Sequence, residues 1–204
     1  MGNDVVLKTP ISEDEIRKLK AGDTIYVTGT MVTARDEAHK ELLHMKNSGQ
    51  EIPVDLNGLA LYHCGPIIKK ENDEWKVVAA GPTTSARMEM FEADFIKAFK
   101  VRVIIGKGGL GPKTTKACQE YGAVYAAFTG GAAIIAANAI RRVKNVYLLE
   151  KLGMPEALWV FEVERFGPLT VAIDTHGTNL FEIVSKEVEE NISKVYKMVG
   201  IENE

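Results

Sequence analysis

The sequence feature that most constrains this chain is a glycine-rich loop between an apolar run and an amphipathic segment. Residues 106–111 read Gly-Lys-Gly-Gly-Leu-Gly and directly follow the β-branched run 101–105. The run predicts a buried strand, and residues 112–121, which open with a proline, predict a helix. A strand, a glycine loop and a helix N-terminus together present backbone N–H groups to an anion. Because Lys107 adds a positive charge, we interpret the loop as an anion-binding site.

Two nucleotide-binding patterns fit this loop only in part. The spacing satisfies G-x-G-x-x-G, but the next strand candidate, residues 123–128, ends without the acidic residue that holds the ribose in a dinucleotide fold. A Walker A loop ends in Gly-Lys-Thr, whereas here a proline follows Gly111 and removes an N–H group. A structural turn would explain the glycines but not Lys107. A stand-alone phosphate- or nucleotide-binding module at residues 106–111 therefore stays open as one alternative.

Length and composition argue against several classes of protein. The 204 residues are 46% hydrophobic and 26% charged, as in an ordinary globular protein. The net charge of −3 gives no support for a nucleic-acid or membrane-surface partner. The sequence contains neither an apolar run long enough to cross a bilayer nor a basic-then-apolar leader after Met1. We therefore expect a cytoplasmic protein.

Cysteine and histidine usage predicts no metal site on this chain. The two cysteines, Cys64 and Cys118, do not make a disulfide framework and are too few for an iron–sulfur cluster. The four histidines do not have the spacing of zinc ligands, and His39 and His44 are five residues apart on a predicted helix. His176, in a predicted turn, is as consistent with a structural role as with a ligand contact.

The order of strand and helix patterns predicts one mixed α/β domain spanning residues 1–204, since no linker or repeat divides the chain. An alanine-rich helix is predicted from residue 132 to about 142. Two strands, 156–163 and 169–173, are predicted on either side of the breaker 165–168. A final helix is predicted to point these apolar residues inward: Leu180, Val184, Val188, Ile192, Val195 and Val199.

Two further segments could bind negative charge. Arg35 follows the predicted strand 24–32 at the start of a helix, where anions are favoured, although a local pair with Asp36 or Glu37 would also explain it. Residues 83–87 read Thr-Thr-Ser-Ala-Arg at another helix start. One of the hydroxyls could be only an N-cap, but three hydroxyls and Arg87 exceed what a cap requires.

These segments share a position where an apolar strand gives way to a loop and a helix. Two arginines and a lysine around one pocket would suit a dicarboxylate, because guanidinium groups match carboxylates bidentately. The motifs contain no histidine or carboxylate suited to act as a general base, apart from Asp36. The pattern predicts part of an active site, not all of one.

The same motifs resemble those of one family. Residues 33–39, 81–88, 106–111, 153–159 and 174–177 are similar, in order and spacing, to the β subunit of the iron–sulfur hydro-lyases. These are class I fumarate hydratase and L(+)-tartrate dehydratase, and the same region forms the C-terminal domain of single-chain class I fumarases. The resemblance extends from about Thr9 to the last helix.

The resemblance implies a fold, a cofactor and partners. The fold would be a single swivelling β/β/α-type domain with mixed sheets and flanking helices. A [4Fe-4S] cluster would be held by three cysteines of a separate α subunit and not by this chain, with one iron open to bind substrate and act as a Lewis acid. The partners would be that α subunit, a small dicarboxylate substrate and the chains of an α2β2 assembly or a β–β contact, without nucleic acid or membrane.

The resemblance also implies roles for five residues. Arg35, Arg87, Lys107 and Thr84 would bind the substrate, with the three cations holding its carboxylates. Thr83 would act at the reacting carbon as base, together with an aspartate of the α subunit, since a threonine alone is too weak an acid. The implied activity is reversible hydration of fumarate to (S)-malate, with L(+)-tartrate dehydration as the alternative. The chain is expected to be active only with its α subunit.

Overall fold

The computed structural model describes residues 4–198 as a seven-stranded mixed sheet, a separate hairpin and flanking helices. The strands are β1 (Val5–Lys8), β2 (Thr24–Thr33), β3 (Ala60–Tyr62), β4 (Ile67–Glu71), β5 (Glu74–Ala79), β6 (Val103–Gly106), β7 (Val124–Ala127), β8 (Ile140–Tyr147) and β9 (Leu158–Ile173). The α-helices are α1 (Glu13–Ile16), α2 (Asp36–Asn47), α3 (Glu89–Phe99), α4 (Pro112–Tyr121), α5 (Ala133–Ala139), α6 (Leu149–Leu152) and α7 (Leu180–Met198). A 3-10 turn, Ser85–Met88, leads directly into α3. The predicted α/β class with mixed sheets and flanking helices is confirmed.

The sheet closes on itself through its longest strand. Strands β1, β2, β3, β6 and β7 are parallel neighbours in that order, whereas β9 runs antiparallel and pairs with β7, β8 and β2. Because β9 contacts both β7 and β2, the five strands β2, β3, β6, β7 and β9 form a ring. This ring gives the sheet an inner and an outer face.

The two faces follow from the alternation of side chains along each strand. Met31 and Tyr62 join the core inside the ring, whereas their neighbours Val32 and Leu61 join a second core on the outer face. Helices α2, α3 and α4 cover that outer face with apolar residues such as Leu42. Fully buried Val, Ile and Leu on both faces explain why these parallel strands read as continuous apolar runs.

Two predictions about secondary structure were wrong, one on the end of a helix and one on the number of strands. The alanine-rich helix ends at Ala139, and residues 140–147 form β8 instead, paired antiparallel with β9. Residues 158–173 form one strand and not two, because the Gly167-Pro168 segment lies at register shifts in the pairing with β2. Bulges tolerate proline and glycine that a regular ladder would exclude. In both cases long-range pairing, which local pattern does not show, decided the structure.

The orientation predicted for the last helix was also wrong. Helix α7 is amphipathic as expected, but Val184, Val188, Ile192 and Val195 are exposed, and Leu180 is half-buried. Val199 lies outside the described residues. None of the helices between residues 4 and 198 is long and apolar enough to cross a bilayer.

Candidate functional site

The carboxyl ends of three neighbouring parallel strands bring the predicted site segments to one edge of the sheet. Thr33 of β2 pairs with Tyr62 of β3, which pairs with Ile105 of β6. The chain therefore leaves these strands side by side, with Arg35 and Lys107 each two residues beyond a paired position. In α/β sheets this edge is where ligands bind, because loops and helix N-termini converge there.

Arg35 is held half-buried at the start of α2. Its Nε lies 3.2 Å from Glu156 Oε1, and Arg35 is the last extended residue before the helix. A Cβ on Gly65 would lie 2.6 Å from Arg35 Nη1 and 2.9 Å from the Pro155 carbonyl oxygen. Only glycine at position 65 leaves room for the guanidinium there. The orientation of Arg35 is therefore fixed by packing as well as by charge.

Residues 83–87 lie against the glycine loop through backbone hydrogen bonds. The Thr83 N–H donates to the His63 carbonyl at 2.7 Å, and the Ser85 N–H donates to the Lys107 carbonyl at 2.8 Å. The Lys107 N–H in turn donates to the Thr83 carbonyl at 3.3 Å. The side chains of Thr84 and Lys107 are exposed beside each other, and Thr83 is half-buried. Thr84 and Lys107 thus form a short parallel β-bridge, and Thr83 lies next to it.

Arg87 forms a bidentate pair with the first residue of α2. Its Nε and Nη2 donate to Asp36 Oδ1 and Oδ2 at 3.2 and 2.7 Å. Asp36 is 18% exposed, whereas Arg87 is 53% exposed. This pair links residues 83–87 to the Arg35 junction and uses one edge of the guanidinium. The predicted site residues Arg35, Thr83, Thr84, Arg87 and Lys107 are thus joined by contacts at one sheet edge; we call Arg35, Arg87 and Lys107 the outer cations.

The N-terminus of helix α4 is already occupied by a carboxylate of this chain. Glu89 Oε2 accepts hydrogen bonds from the Gly111 N–H and the Thr114 hydroxyl, each at 2.7 Å, and Glu89 Oε1 accepts from the Thr114 N–H at 3.4 Å. These are the groups that a phosphate would use at a helix N-terminus. This contact argues against the alternative of a stand-alone phosphate-binding module at residues 106–111.

A buried polar cluster lies directly beneath the outer cations, and the sequence analysis missed it. His39 on α2, His63 after β3 and Glu92 on α3 are each 0% exposed. Glu92 Oε2 lies 2.9 Å from His63 Nε2 and 3.4 Å from His39 Nε2. We call these three residues the buried histidine cluster. Their donor atoms converge closely enough to hold a metal ion.

One sequence signal could have found the cluster. Helix α3 buries Met88, Phe95, Ile96 and Phe99 on one face, and Glu92 falls on that same face. A lone carboxylate on an apolar stripe requires a buried partner. Its partners, His39 and His63, are distant from Glu92 in the sequence, so local spacing could not identify them.

The cysteines do not fit an iron–sulfur cluster on this chain. Burial raises the pKa of Cys64 to about 12, in spite of the nearby Arg35 charge, and burial also raises the pKa of Cys118. Metal binding needs the thiolate form, which both environments disfavour. Both thiols are free and buried.

Comparison with known proteins gives a family match over most of the chain. Residues 2–184 match the family described as "Fumarase C-terminus". The chain is 48% identical to a putative L(+)-tartrate dehydratase subunit beta of Methanocaldococcus jannaschii, over 91% of this chain and 95% of the relative. It is 48% identical to the L(+)-tartrate dehydratase subunit beta of Escherichia coli K12, over 86% of this chain and 85% of the relative.

A longer relative contains the same region as one part. The chain is 44% identical to a putative fumarate hydratase class I of Geobacillus stearothermophilus, over 93% of this chain but only 36% of the relative. The family match covers every segment of the site, from Arg35 through residues 83–87 to the glycine loop. This chain therefore belongs to the fumarase C-terminus family.

Proposed function

We propose that this chain is the β subunit of a hydro-lyase that reversibly adds water across the double bond of a four-carbon dicarboxylate. The observation that carries the proposal is the meeting of the outer cations with Thr83 and Thr84 at one edge of the sheet, in a chain of this family. Three cations beside two hydroxyls match a substrate with two carboxylates.

Each outer cation would have a distinct part in binding. Arg87 donates to Asp36 through its Nε–Nη2 edge, so its Nη1 nitrogen faces away from that pair and would serve a substrate carboxylate. Arg35, oriented by Glu156 and Gly65, would hold a carboxylate without first paying rotational entropy. Lys107 and Thr84 are exposed at the bridge and would complete the binding of the same substrate.

The proton step would involve Thr83. Its backbone is fixed on both sides, to His63 and to Lys107, so its hydroxyl would be presented at a defined position beside the reacting carbon. Removal of a proton there leaves negative charge next to a carboxylate, which the outer cations would stabilise electrostatically. A threonine needs help from a stronger base, which we assign to an aspartate of the α subunit.

The [4Fe-4S] cluster and the rest of the assembly belong to the partner in this proposal. Cys64 and Cys118 are unsuited to ligate a cluster, so we assign the cluster to the α subunit. We propose an α2β2 assembly or a β–β contact, in the cytoplasm. Two relatives bear the name subunit beta, which supports a partner subunit in the enzyme.

Two substrates remain candidates. Fumarate was the expected substrate, but the relatives of similar length bear the name tartrate dehydratase, and the fumarate hydratase relative is a longer chain. Hydration of fumarate and dehydration of L(+)-tartrate would use the same carboxylate contacts. The proposal therefore includes both, and a direct assay separates them.

The test is anaerobic copurification of this chain with its α subunit, followed by fumarate hydration and L(+)-tartrate dehydration assays. We expect one of the two activities in the complex and none in the isolated chain. Arg87→Ala should abolish most of that activity, whereas Lys116→Ala, an exposed lysine on α4, should not change it. A complex without either activity, or an isolated chain that binds nucleotide, would contradict the proposal.

A further inference from the structure

The buried histidine cluster touches all three segments of the proposed site from below. His39 Nδ1 lies 2.7 Å from the backbone carbonyl of Arg35. His63 Nδ1 lies 2.9 Å from the Ser85 hydroxyl oxygen, which in turn lies 3.0 Å from the Tyr125 hydroxyl oxygen. Each imidazole therefore has one nitrogen toward Glu92 and the other toward a segment that bears a predicted site residue.

The contacts continue from Tyr125 into the glycine loop. The Tyr125 hydroxyl lies 2.8 Å from the Gly108 carbonyl, one residue after Lys107. Ser85 is packed so closely under the loop that a Cβ on Gly106 would lie 1.9 Å from its hydroxyl oxygen. Ser85 and Tyr125 are each fully buried. A polar path thus runs from Glu92 through His63 and Ser85 to the backbone beside Lys107.

The chemistry of the neighbours decides where the protons lie. A backbone carbonyl can only accept, so His39 must carry a proton on Nδ1. The Nε2 atom of His39 lies 3.4 Å from Glu92 Oε2, so this ring spans from the Arg35 backbone to the carboxylate.

His63 has the opposite arrangement. Its Nε2 lies 2.9 Å from Glu92 Oε2, so Nε2 carries the proton, and its Nδ1 accepts from the Ser85 hydroxyl. Burial lowers the pKa of His63, which favours this neutral form. Burial alone would raise the pKa of Glu92, but contacts with His63 and His39 lower it to about 2. The carboxylate is thereby kept ionised between the two rings.

We propose that the buried histidine cluster positions the Arg35 junction, residues 83–87 and the glycine loop for substrate. The Nε2–Oε2 contacts are short but not aligned as linear hydrogen bonds, and Glu92 Oε1 has no hydrogen-bond partner among residues 4–198. The cluster is therefore held by charge more than by directional bonds. These residues are positioning residues, since they act through backbone groups of the site.

The first test reads the protons directly and does not depend on any activity. NMR of the full chain with isotopically labelled histidine reports which ring nitrogens are protonated. The exposed His44 and His176 are assigned through His44→Gln and His176→Gln. We expect a proton on His39 Nδ1, which faces the Arg35 carbonyl, and a proton on His63 Nε2, which faces Glu92. A His39 without a proton on Nδ1, or a stoichiometric metal ion on both Nε2 atoms, would overturn the proposal.

The second test measures positioning by hydrogen exchange of the folded chain. Glu92→Gln keeps the shape of the side chain but removes its charge, and Tyr125→Phe removes only the hydroxyl. We expect faster amide exchange at residues 83–87 and 106–111 in Glu92→Gln, and at residues 106–111 in Tyr125→Phe. Exchange in helix α5, which the cluster does not contact, is the internal reference. Unchanged exchange at the site segments in folded variants would overturn the proposal.

The third test rests on the proposed function and uses the assembled enzyme with whichever of the two substrates it accepts. Misplacement of binding groups should lower kcat/KM of Glu92→Gln by about tenfold to a hundredfold. Tyr125→Phe should raise KM more than it lowers kcat, and His44→Gln should behave as wild type. Unchanged KM and kcat in Glu92→Gln would contradict positioning. A wild-type complex without activity would instead contradict the proposed function, and the first two tests would still decide the cluster.

Discussion

The outer cations and the buried histidine cluster contact the same three segments of the chain but place their charges in opposite environments. Arg87 is 53% exposed and pairs with Asp36 in contact with solvent, whereas His39, His63 and Glu92 are 0% exposed. An exposed pair is weak because water and salt compete with it, so a substrate carboxylate can join or replace it. A buried pair has no such competitor, and removing one partner leaves a charge that nothing else can satisfy.

The difference teaches how one set of loops can be both receptive and rigid. Side chains that point out of the sheet edge are free to exchange partners, while side chains that point inward fix the backbone from which they project. Arg35 combines the two, because its half-buried guanidinium pairs with Glu156 and its backbone carbonyl contacts His39. We therefore expect changes in the outer cations to affect activity first and changes in the cluster to affect stability first.

The largest expected effect is on the activity of an outer-cation variant. Lys107→Ala should lower kcat/KM of the assembled enzyme by about a hundredfold to a thousandfold, as expected when one group that stabilises transition-state charge is removed. Its thermal unfolding should match wild type, because the Lys107 side chain is exposed. Lys113→Ala, an exposed lysine on α4, is the control. Near-normal turnover of Lys107→Ala would remove Lys107 from the site.

The next largest effect is on stability. Its absence would contradict the contrast between exposed and buried ion pairs. Glu92→Ala leaves two buried imidazoles without their carboxylate and should lower the free energy of unfolding by about 3–5 kcal/mol. The matched control is Arg142→Ala, which removes an exposed cross-strand pair with Glu162 and should change it by less than about 0.5 kcal/mol. Urea unfolding measures both. Equal losses of unfolding free energy in the two variants would mean that burial does not make the first ion pair more important for stability than the second.

The pH dependence of stability sharpens the same contrast. The folded-state pKa of Glu92 is depressed from 4.5 to about 2, so its contribution is present above pH 4.5 and is lost as pH falls toward 2. The lowered pKa of His63 acts in the same direction, since protonation of a buried neutral imidazole destabilises the fold below its ordinary pKa of 6.5. Asp36, Tyr125 and Cys118 are the other titratable groups close to the cluster.

The measurement for this prediction is urea unfolding of wild type and Glu92→Gln from pH 7 to pH 3. The stability advantage of wild type should shrink as the pH falls. An advantage that stays constant, or that grows in acid, would be inconsistent with an ionised Glu92 in the folded chain.

The smallest effect concerns the carboxylate that caps α4. Glu89→Ala removes the acceptor for the Gly111 and Thr114 N–H groups and should cost about 1 kcal/mol of unfolding free energy. Wild type should show no affinity for inorganic phosphate by calorimetry, because Glu89 occupies the groups that phosphate would use. Phosphate binding to wild type that involves residues 106–111 would revive the alternative of a phosphate-binding module.

Much of the fold and the outer part of the site could be predicted from local pattern. The helix at residues 112–121 has the bounds expected, and its initial proline lies at its first turn. The segments bearing Arg35, residues 83–87 and Lys107 were identified because glycine, proline and hydroxyl residues mark strand-to-helix junctions. Their roles in substrate binding stay predictions until the variants are assayed.

The cluster and the long-range pairings could not be predicted in this way. Glu92 is 29 residues from His63 and more from His39, as their sequence numbers show, and only the ring of strands brings α2, β3 and α3 into contact. The extent of β9 likewise depended on three partner strands distant in sequence. Sequence spacing shows which residues share a face, but not which other face will cover it.

Helix α7 is the clearest example of this limit. The sequence by itself determined that residues 180–198 form an amphipathic helix, because the apolar residues recur at helical spacing. Only the tertiary structure decided that Val184, Val188, Ile192 and Val195 are exposed. The physical reason is that periodicity fixes the direction of an apolar face relative to its own helix axis, whereas burial depends on whether another element lies opposite.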